Sequence, residues 1–326
     1  MSLRIRRILV AIRDERHPSR SQLRKAASLA RAMGASVELF HAINEPVALE
    51  AIRHGDTGWS MKGTMEAVAQ RSQRRLERLA QSSNFKGLRV RNLANWDYPP
   101  HEAIVRRALT IRADLVIAAT QPQRLGARLL LTNTDWELIR HCPCPVLLVK
   151  SSRNYRKPVV IAAIDPFHAH AKPAKLDGRI LGAAASLARA LRGELHTFHA
   201  YLPLTVIPPA PLGQPLAVAL PPELEDTHTA QIAKVFDRFA RTAGIPPRRR
   251  HLRMGDVRSQ LAGVVKRTRA GVVVMGAVSR SGLRRMFIGN TAESVLDALW
   301  CDVLVVKPGR FKSVVPKRQN NLPQGR

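Results

Sequence analysis

The segment from Gly276 to Glu293 carries the residue types and spacing that best suggest chemistry. An apolar run at 272–275 precedes a loop with small and basic residues, and an apolar helical pattern follows it. This order predicts a strand, a glycine-bearing loop and a helix. Small residues let backbone N–H groups approach an anion, and a helix N-terminus adds unpaired amides and a positive dipole end. The segment therefore predicts a phosphate-binding loop, with residues Gly276, Ser279, Arg280, Gly289, Asn290 and Thr291 as candidates.

The same residues have a second interpretation. Asn290 and Glu293 have the spacing of a capping box, which is a signal for helix initiation alone.

A repeat of domain size gives this loop its context. Ala-Ala-Ser-Leu-Ala-Arg-Ala begins at Ala26 and again at Ala184, an offset of 158 residues. Cys-Pro-Val-Leu-Leu-Val-Lys from Cys144 returns as Cys-Asp-Val-Leu-Val-Val-Lys from Cys301, an offset of 157. The period is far longer than a solenoid or propeller unit, so each copy is expected to be a domain with its own core. We expect domains at 1–150 and 156–308, followed by a basic, disordered tail at 309–326.

Strand-like and helix-like segments alternate through both copies. This pattern predicts two tandem doubly wound α/β domains, each with a parallel sheet covered by helices on both faces. In the first copy the loop reads Thr-Gln-Pro-Gln-Arg-Leu-Gly from Thr120, and its proline removes a backbone donor. We expect the anion site of this copy to be lost. Thr134 and Glu137 have capping-box spacing, which predicts a retained helix start.

Polar residues at strand ends are further candidates. Asp165 ends the first strand of the second copy, where open α/β sheets place ligand-facing residues. The alternative for Asp165 is a turn with Pro166. His199 follows a later strand and is expected to pack there. The Leu202–Pro222 segment is proline-rich and apolar, which is suited to covering the crevice, a dimer surface or an acyl pocket.

Metal binding is weakly indicated. His168 and His170 lack a third ligand at a telling distance, and Cys142-Pro-Cys144 lies at the entrance to a buried strand. We expect no metal and no disulfide framework, since the three cysteines are an odd and sparse set.

The charge of the chain constrains its partners. Its 53 Lys and Arg against 24 Asp and Glu give a net charge of +29 among 326 residues. This field predicts non-specific affinity for nucleic acid. Aromatic residues make up only 5% of the chain, so the stacking residues of a single-strand binder are missing. No apolar run is long enough to span a bilayer and no signal-peptide core is visible, so we expect no membrane insertion and a cytoplasmic protein.

The second copy resembles the universal stress protein family. The resemblance rests on Ala-Ala-Ile-Asp at 162–165, on the 276–293 segment and on the Cys301 motif, and it extends over nearly the whole chain. It implies a five-stranded sheet of order 3-2-1-4-5 in each half and a pseudo-dimer of the halves, with a homodimer left open. Nucleotide-binding members carry Gly, two residues, Gly, nine residues, Gly, then Ser or Thr. Here Ser279 replaces the second Gly and Asn290 replaces the Ser or Thr.

The resemblance also implies a ligand. It implies that Gly276, Ser279, Gly289 and Asn290 bind the phosphates of ATP, with Asp165 and the strand end near Ala200 beside the ribose and adenine. Three functions are therefore open: a non-enzymatic stress protein whose second domain binds an adenine nucleotide, a scaffold or carrier for an apolar or acyl-bearing molecule, and a slow ATPase. The last has no evident general base.

Overall fold

Twelve strands and eight helices make up the regular structure of the described residues. The computed structural model describes residues 3–44, 60–120, 131–167, 175–203, 205–206, 218–219, 222–277, 290–309 and 311–317. The strands are β1 Arg7–Ala11, β2 Ser36–Ile43, β3 Val90–Trp96, β4 Leu115–Ala119, β5 Val146–Val149, β6 Val159–Ala163, β7 Glu194–Tyr201, β8 Thr205–Val206, β9 Val218–Ala219, β10 Arg250–Met254, β11 Val272–Gly276 and β12 Asp302–Val306. The helices are α1 Arg20–Met33, α2 Met61–Ala80, α3 Pro100–Ile111, α4 Asn133–His141, α5 Leu176–Ala190, α6 Pro222–Thr242, α7 Val257–Thr268 and α8 Asn290–Ala298.

Local sequence explains where the helices begin and end. The Ser19 side chain accepts a hydrogen bond from the Gln22 amide at the start of α1, and Gly34 ends this helix with a φ of 64°. Asp256 caps α7 by accepting from the Ser259 amide at 2.9 Å. These caps satisfy backbone groups that a helix end leaves unpaired.

The sheet confirms the predicted fold class. In each half the strand order follows the predicted 3-2-1-4-5 pattern, as β3-β2-β1-β4-β5 and β10-β7-β6-β11-β12. Neighbouring strands within a half are parallel, as in the pairings of β1 with β2 and β4. The order places a topological switch point between β6 and β11, and between β1 and β4.

The two sheets join edge to edge, which the sequence did not predict. Strand β5 pairs with β12 in antiparallel register, with Leu147 opposite Leu304, so ten strands form one continuous sheet. Joining the two edges removes a row of unpaired backbone groups from each half.

Apolar residues alternate along the strands, so they pack into two cores, one on each face of the sheet. In β5, Leu147 belongs to the core beneath α1, α5 and α6, whereas Leu148 belongs to the core beneath α3, α4, α7 and α8. Both cores contain strand residues from both halves, so burial runs across the junction. This alternation follows from the two-residue period of a strand.

Two equivalent lysines cross the junction in opposite directions. Lys150, after β5, donates from Nζ to the carbonyl of Leu296 at the end of α8. Lys307, after β12, donates from Nζ to the carbonyl of Ile139 at the end of α4. Each amine thus neutralises the negative end of a helix in the other half. Burial lowers the pKa of Lys150, and it lowers that of Lys307 to about 8.

A buried ion pair fixes the register of the junction. Lys25 Nζ lies 2.6 Å from Asp302 Oδ2, with the two side chains 1% and 0% exposed. The Asp302 carboxylate also accepts from the amides of Lys150 and Ser151 and from the Tyr155 hydroxyl. Burial lowers the pKa of Lys25, and the charge of Asp302 opposes that change.

Two apolar residues of the described C-terminal segment contact the rest of the protein. Val315 is 7% exposed and belongs to one of the two cores, and the Phe311 ring lies 4.6 Å from Lys307 Nζ. Apolar residues of the 311–317 segment therefore pack against the core that both halves share. None of the helices in the described ranges combines the length and apolar character needed to cross a bilayer.

Candidate functional site

Three of the predicted site residues lie at the ends of neighbouring strands. Asp165 follows β6, Ala200 lies near the end of β7, and Gly276 ends β11. Strand β6 is paired with both β7 and β11, so the three residues lie along one edge of the sheet beside its switch point. This is where open α/β sheets form ligand crevices.

The remaining predicted residues cannot be placed at side-chain level. Ser279, Arg280 and Gly289 lie outside the described residues. Asn290 and Thr291 are the first two residues of α8, of which the backbone is described. Asn290 is thus within the first turn of α8.

The backbone of Asp165 is held by the next helix. Its N–H donates to Asp177 Oδ1 at 3.0 Å, and Asp177 lies in the first turn of α5. The Asp165 side chain is 36% exposed, and its Oδ1 lies 3.9 Å from His199 Nδ1. The main chain of Asp165 is therefore fixed by α5, and its side chain is partly exposed at this edge of the sheet.

His199 lies beside Asp165. Its Nδ1 donates to the Ile164 carbonyl at 3.1 Å, and its side chain is buried. The rings of Phe236 and Phe167 lie 6.2 and 5.5 Å from the His199 ring, and Phe167 is 41% exposed. An exposed aromatic ring at this edge was not predicted as a site residue, although Phe167 follows Asp165 closely in sequence.

Gly276 has a packing reason to lack a side chain. A Cβ at this position would lie 2.8 Å from Leu176 Cδ2 and 3.1 Å from Ile180 Cδ1. Both contacts come from the first turns of α5, which packs against the end of β11. The glycine thus brings α5 close to the crevice whether or not a ligand is bound.

The first half has an arginine where the second half has Asp165. Ile12 donates its amide to the Phe40 carbonyl, and Ile164 donates to the equivalent Phe198 carbonyl. The next residues, Arg13 and Asp165, therefore occupy equivalent positions.

The Arg13 side chain reaches the start of helix α4. Its Nη2 donates to Thr132 Oγ1 at 2.9 Å and to Asp135 Oδ1 at 3.3 Å. Asp135 is fully buried, and burial raises its pKa while hydrogen bonds from Thr132 and the charge of Arg13 oppose that rise. The place that would hold an anion in a phosphate-binding half is thus occupied by an internal ion pair.

The capping box of α4 differs from the prediction. Thr132 caps the helix and Asp135 is its partner, because the helix begins at Asn133. The predicted Thr134 already lies within the first turn. Glu137 accepts instead from Arg140 Nη1 at 2.7 Å, and its other oxygen lies 2.9 Å from His141 Nε2.

A second buried cluster fills the first half at the ends of β1 and β2. The Glu15 carboxylate accepts from Ser72 Oγ and Arg75 Nη1, and it lies 3.2 Å from His41 Nε2. Burial alone would raise the pKa of Glu15, but the charge of His41 and these hydrogen bonds lower it below its usual range. Nearby, Gln22 donates to the carbonyls of both Ala11 and Ile117, which bridges the two strands of the switch point.

The cysteines that suggested zinc are buried. Cys142 and Cys144 have their sulfur atoms 3.7 Å apart, and the neighbouring His141 is paired with Glu137. Within the described ranges no cluster of three or more potential ligands is present. His168 and His170 lie outside those ranges.

Comparison with known proteins decides the family. The model of the universal stress protein family matches residues 4–150 and, a second time, residues 174–307. The chain belongs to the universal stress protein family. The double match confirms the tandem resemblance predicted from the sequence.

Two curated relatives with similar sequences are named universal stress protein E. Universal stress protein E of Photorhabdus laumondii is 30% identical over 227 residues, which cover 67% of this chain and 68% of the relative. Universal stress protein E of Escherichia coli K12 is 31% identical over 227 residues, covering 68% and 69% of the two chains. A solved structure of a functionally unknown protein from Pseudomonas aeruginosa PAO1 is 25% identical, with a TM-score of 0.69 and 93% of each chain covered. This tandem universal stress protein therefore resembles universal stress protein E.

Proposed function

We propose that the second half of this universal stress protein, residues 156–308, binds an adenine nucleotide such as ATP. The site would be the crevice at the ends of β6, β7 and β11. The observation that carries the proposal is the difference between the two halves at this edge. The first half places Arg13 and the buried Asp135 at its crevice, and the second half has Asp165 and Ala292 at the equivalent positions.

The carboxylate at the helix start lies at different positions in the two halves. Helices α4 and α8 begin at Asn133 and Asn290, so the third helical position is Asp135 in one and Ala292 in the other, and the first-turn acid of α8 is Glu293 at the fourth position. Asp135 pairs with Arg13 in the first half, and alanine cannot form such a pair. The absence of a carboxylate at the third helical position of α8 supports an anion site in the second half.

The position of Asp165 orients the ligand. A carboxylate repels phosphates but accepts hydrogen bonds from hydroxyl groups, so Asp165 is suited to the ribose. The phosphates would then point towards residues 276–291, where Ser279, Arg280, Gly289, Asn290 and Thr291 are proposed contacts. The exposed Phe167 ring beside Asp165 is suited to contact the base.

The test is nucleotide binding by two matched variants. Gly289→Asp adds a negative charge at the start of α8, and Thr132→Asp adds the same charge at the equivalent position of α4, where aspartate is also a good cap. Isothermal titration calorimetry with ATP should show binding about tenfold or more weaker for Gly289→Asp and within about twofold of wild type for Thr132→Asp. Equal affinities of the two variants would reject the second-half site.

A second variant tests the orientation. Asp165→Asn should weaken binding of ATP more than binding of inorganic tripolyphosphate, because only ATP carries a ribose. An equal loss for both ligands would remove Asp165 from the sugar contact. The carrier and slow-ATPase alternatives stay untested, since most of the 202–222 segment and the 278–289 loop lie outside the described residues.

A further inference from the structure

We propose a second anion site, independent of the nucleotide crevice, in a pocket between helices α1 and α5. The pocket has a volume of about 940 Å³, and four arginines line it: Arg4, Arg31, Arg189 and Arg192. Its ligand would be a multivalent phosphate anion, with inorganic tripolyphosphate as the simplest example.

The charge of the pocket is not balanced from within. No aspartate or glutamate is among the described residues that line it. Arg4, Arg189 and Arg192 are exposed, and none of their side chains forms a hydrogen bond or ion pair with the part of the chain that the structure describes. Guanidinium groups bind phosphate oxygens in pairs of parallel hydrogen bonds, so several of them around one pocket favour a phosphate ligand.

The repeat brings these arginines together. Arg31 and Arg189 are equivalent, as are Ser28 and Ser186, and all four residues line the pocket. The pocket therefore lies where the last turns of the two repeated helices meet. Because the two helices are copies of each other, a basic residue near the end of one helix has an equivalent on the other helix at the same pocket.

A helix end alone would also explain an arginine, because cations stabilise the negative end of a helix dipole. Arg31 has local acceptors, since its Nη2 donates to the carbonyls of Asn84 and Lys86 at 2.6 and 3.2 Å. The Arg189 side chain has no such acceptor among the described residues. The last carbonyls of α5 accept from main-chain amides instead, with Leu191 donating to Leu187 at 3.0 Å.

Size and lining define the class of ligand. A volume of about 940 Å³ is near the upper end of the roughly 300–1,000 Å³ of small-molecule sites, so the pocket exceeds a single phosphate. Tyr155 lines the pocket, but its ring already lies 5.2 Å from Lys25 Nζ and its hydroxyl donates to Asp302. Because the Tyr155 ring and hydroxyl already contact Lys25 and Asp302, the ligand would be bound by the charges of the arginines and not by stacking on this ring.

The pocket is distant from the nucleotide crevice. Leu176, at the start of α5, lies against Gly276, whereas Arg189 lies 13 residues further along the same helix. At about 1.5 Å per residue the two ends are roughly 20 Å apart. The two sites can therefore be tested separately.

The test compares two double variants that lose the same charge. Arg4→Gln/Arg189→Gln removes two pocket arginines, and the control Arg74→Gln/Arg78→Gln removes two exposed arginines of α2. Both are made on the Gly289→Asp background, which suppresses a contribution from the nucleotide crevice. Tripolyphosphate is titrated by calorimetry at about 0.15 M salt, where long-range attraction is screened. We expect affinity to fall about tenfold or more in the pocket variant and less than about twofold in the control.

Equal losses in both variants, or no loss in either, would overturn the proposal and leave only the net charge. A single-stranded oligonucleotide, followed by fluorescence anisotropy, should lose affinity equally in the two variants. A larger loss in the pocket variant for the oligonucleotide than for tripolyphosphate would reassign the pocket to nucleic acid and reject it as a phosphate site. Thermal unfolding checks the fold, and Arg189→Gln/Arg192→Gln replaces the pocket variant if that variant is unfolded.

Discussion

The buried amine of Lys307 makes a quantitative prediction about stability. Its side chain is 1% exposed, its Nζ donates to the Ile139 carbonyl, and the Phe311 ring lies 4.6 Å away. Burial lowers its pKa from 10.5 to about 8, while the nearby thiols of Cys142 and Cys144 act in the opposite direction. Replacing Lys307 by methionine keeps the apolar stem and removes the titrating group.

The magnitude follows from proton linkage. Between pH 8 and 10.5 the unfolded chain binds a proton at this amine that the folded chain has released, so the free energy of unfolding rises with pH. A lowering of about 2.5 pH units at about 1.36 kcal/mol per unit gives roughly 3 kcal/mol. This cost of holding a buried charge is fully present below pH 8 and is lost as the pH approaches 10.5.

Urea unfolding at pH 7, 8, 9 and 10.5 measures this effect. The free energy of unfolding of the parent, minus that of Lys307→Met, should rise by about 3 kcal/mol over this range. Both proteins carry Cys142→Ala and Cys144→Ala, so that thiol ionisation does not contribute. Lys312→Met, at an exposed position, is the matched control and should show no such rise. A flat difference for Lys307→Met would refute a buried, depressed amine.

Two further predictions concern the junction and the close approaches of the backbone. Asp302→Ala leaves the buried Lys25 amine without its counter-charge and should lower the free energy of unfolding by about 3–5 kcal/mol. Adding Lys25→Met to this variant should restore part of the lost stability. A loss below about 1 kcal/mol for Asp302→Ala in urea unfolding would contradict this prediction. Gly193→Ala should cost more than Gly276→Ala, about 3 against about 1 kcal/mol, because its Cβ would overlap the Pro158 carbonyl while Gly276 faces movable side-chain ends. Thermal unfolding of both variants checks the ranking, and a reversed order would show that the backbone at Gly193 yields more easily than the helix at Gly276.

Most of the fold could be predicted from the sequence because its signals are local and repeated. The apolar strands and the offset motifs predict two doubly wound halves, and the resemblance to the universal stress protein family implied the strand order that the structure has. The edge pairing of β5 with β12 joins two strands that are far apart in the sequence. Both strands are apolar and similar in sequence, so no local pattern specifies that they pair with each other. One signal was available, since all four residues of β5 are apolar and buried, which is unusual for an edge strand.

The position of a candidate site residue follows from the sequence where a strand end fixes it. Asp165 and Gly276 come together because parallel strands end at one edge. Arg13 was missed because it does not align with Asp165 at the offset of 157 or 158 that the repeated motifs have; their equivalence is visible only in the strand pairing. The bond of Arg13 to Asp135 depends on side-chain reach across 122 residues of sequence, which no local pattern encodes.

The crossed lysines have a consequence for the history of the chain. Lys150 and Lys307 each donate to a carbonyl on the opposite side of the junction. If the gene were split at the linker, each half would be a separate protein, and the carbonyl acceptor of its buried lysine would belong to the other protein. Water could replace the lost carbonyl only if the edge of the sheet opened and exposed the lysine amine. The duplicated architecture therefore resists fission, and an ancestral single copy would have needed to self-associate to satisfy the same groups.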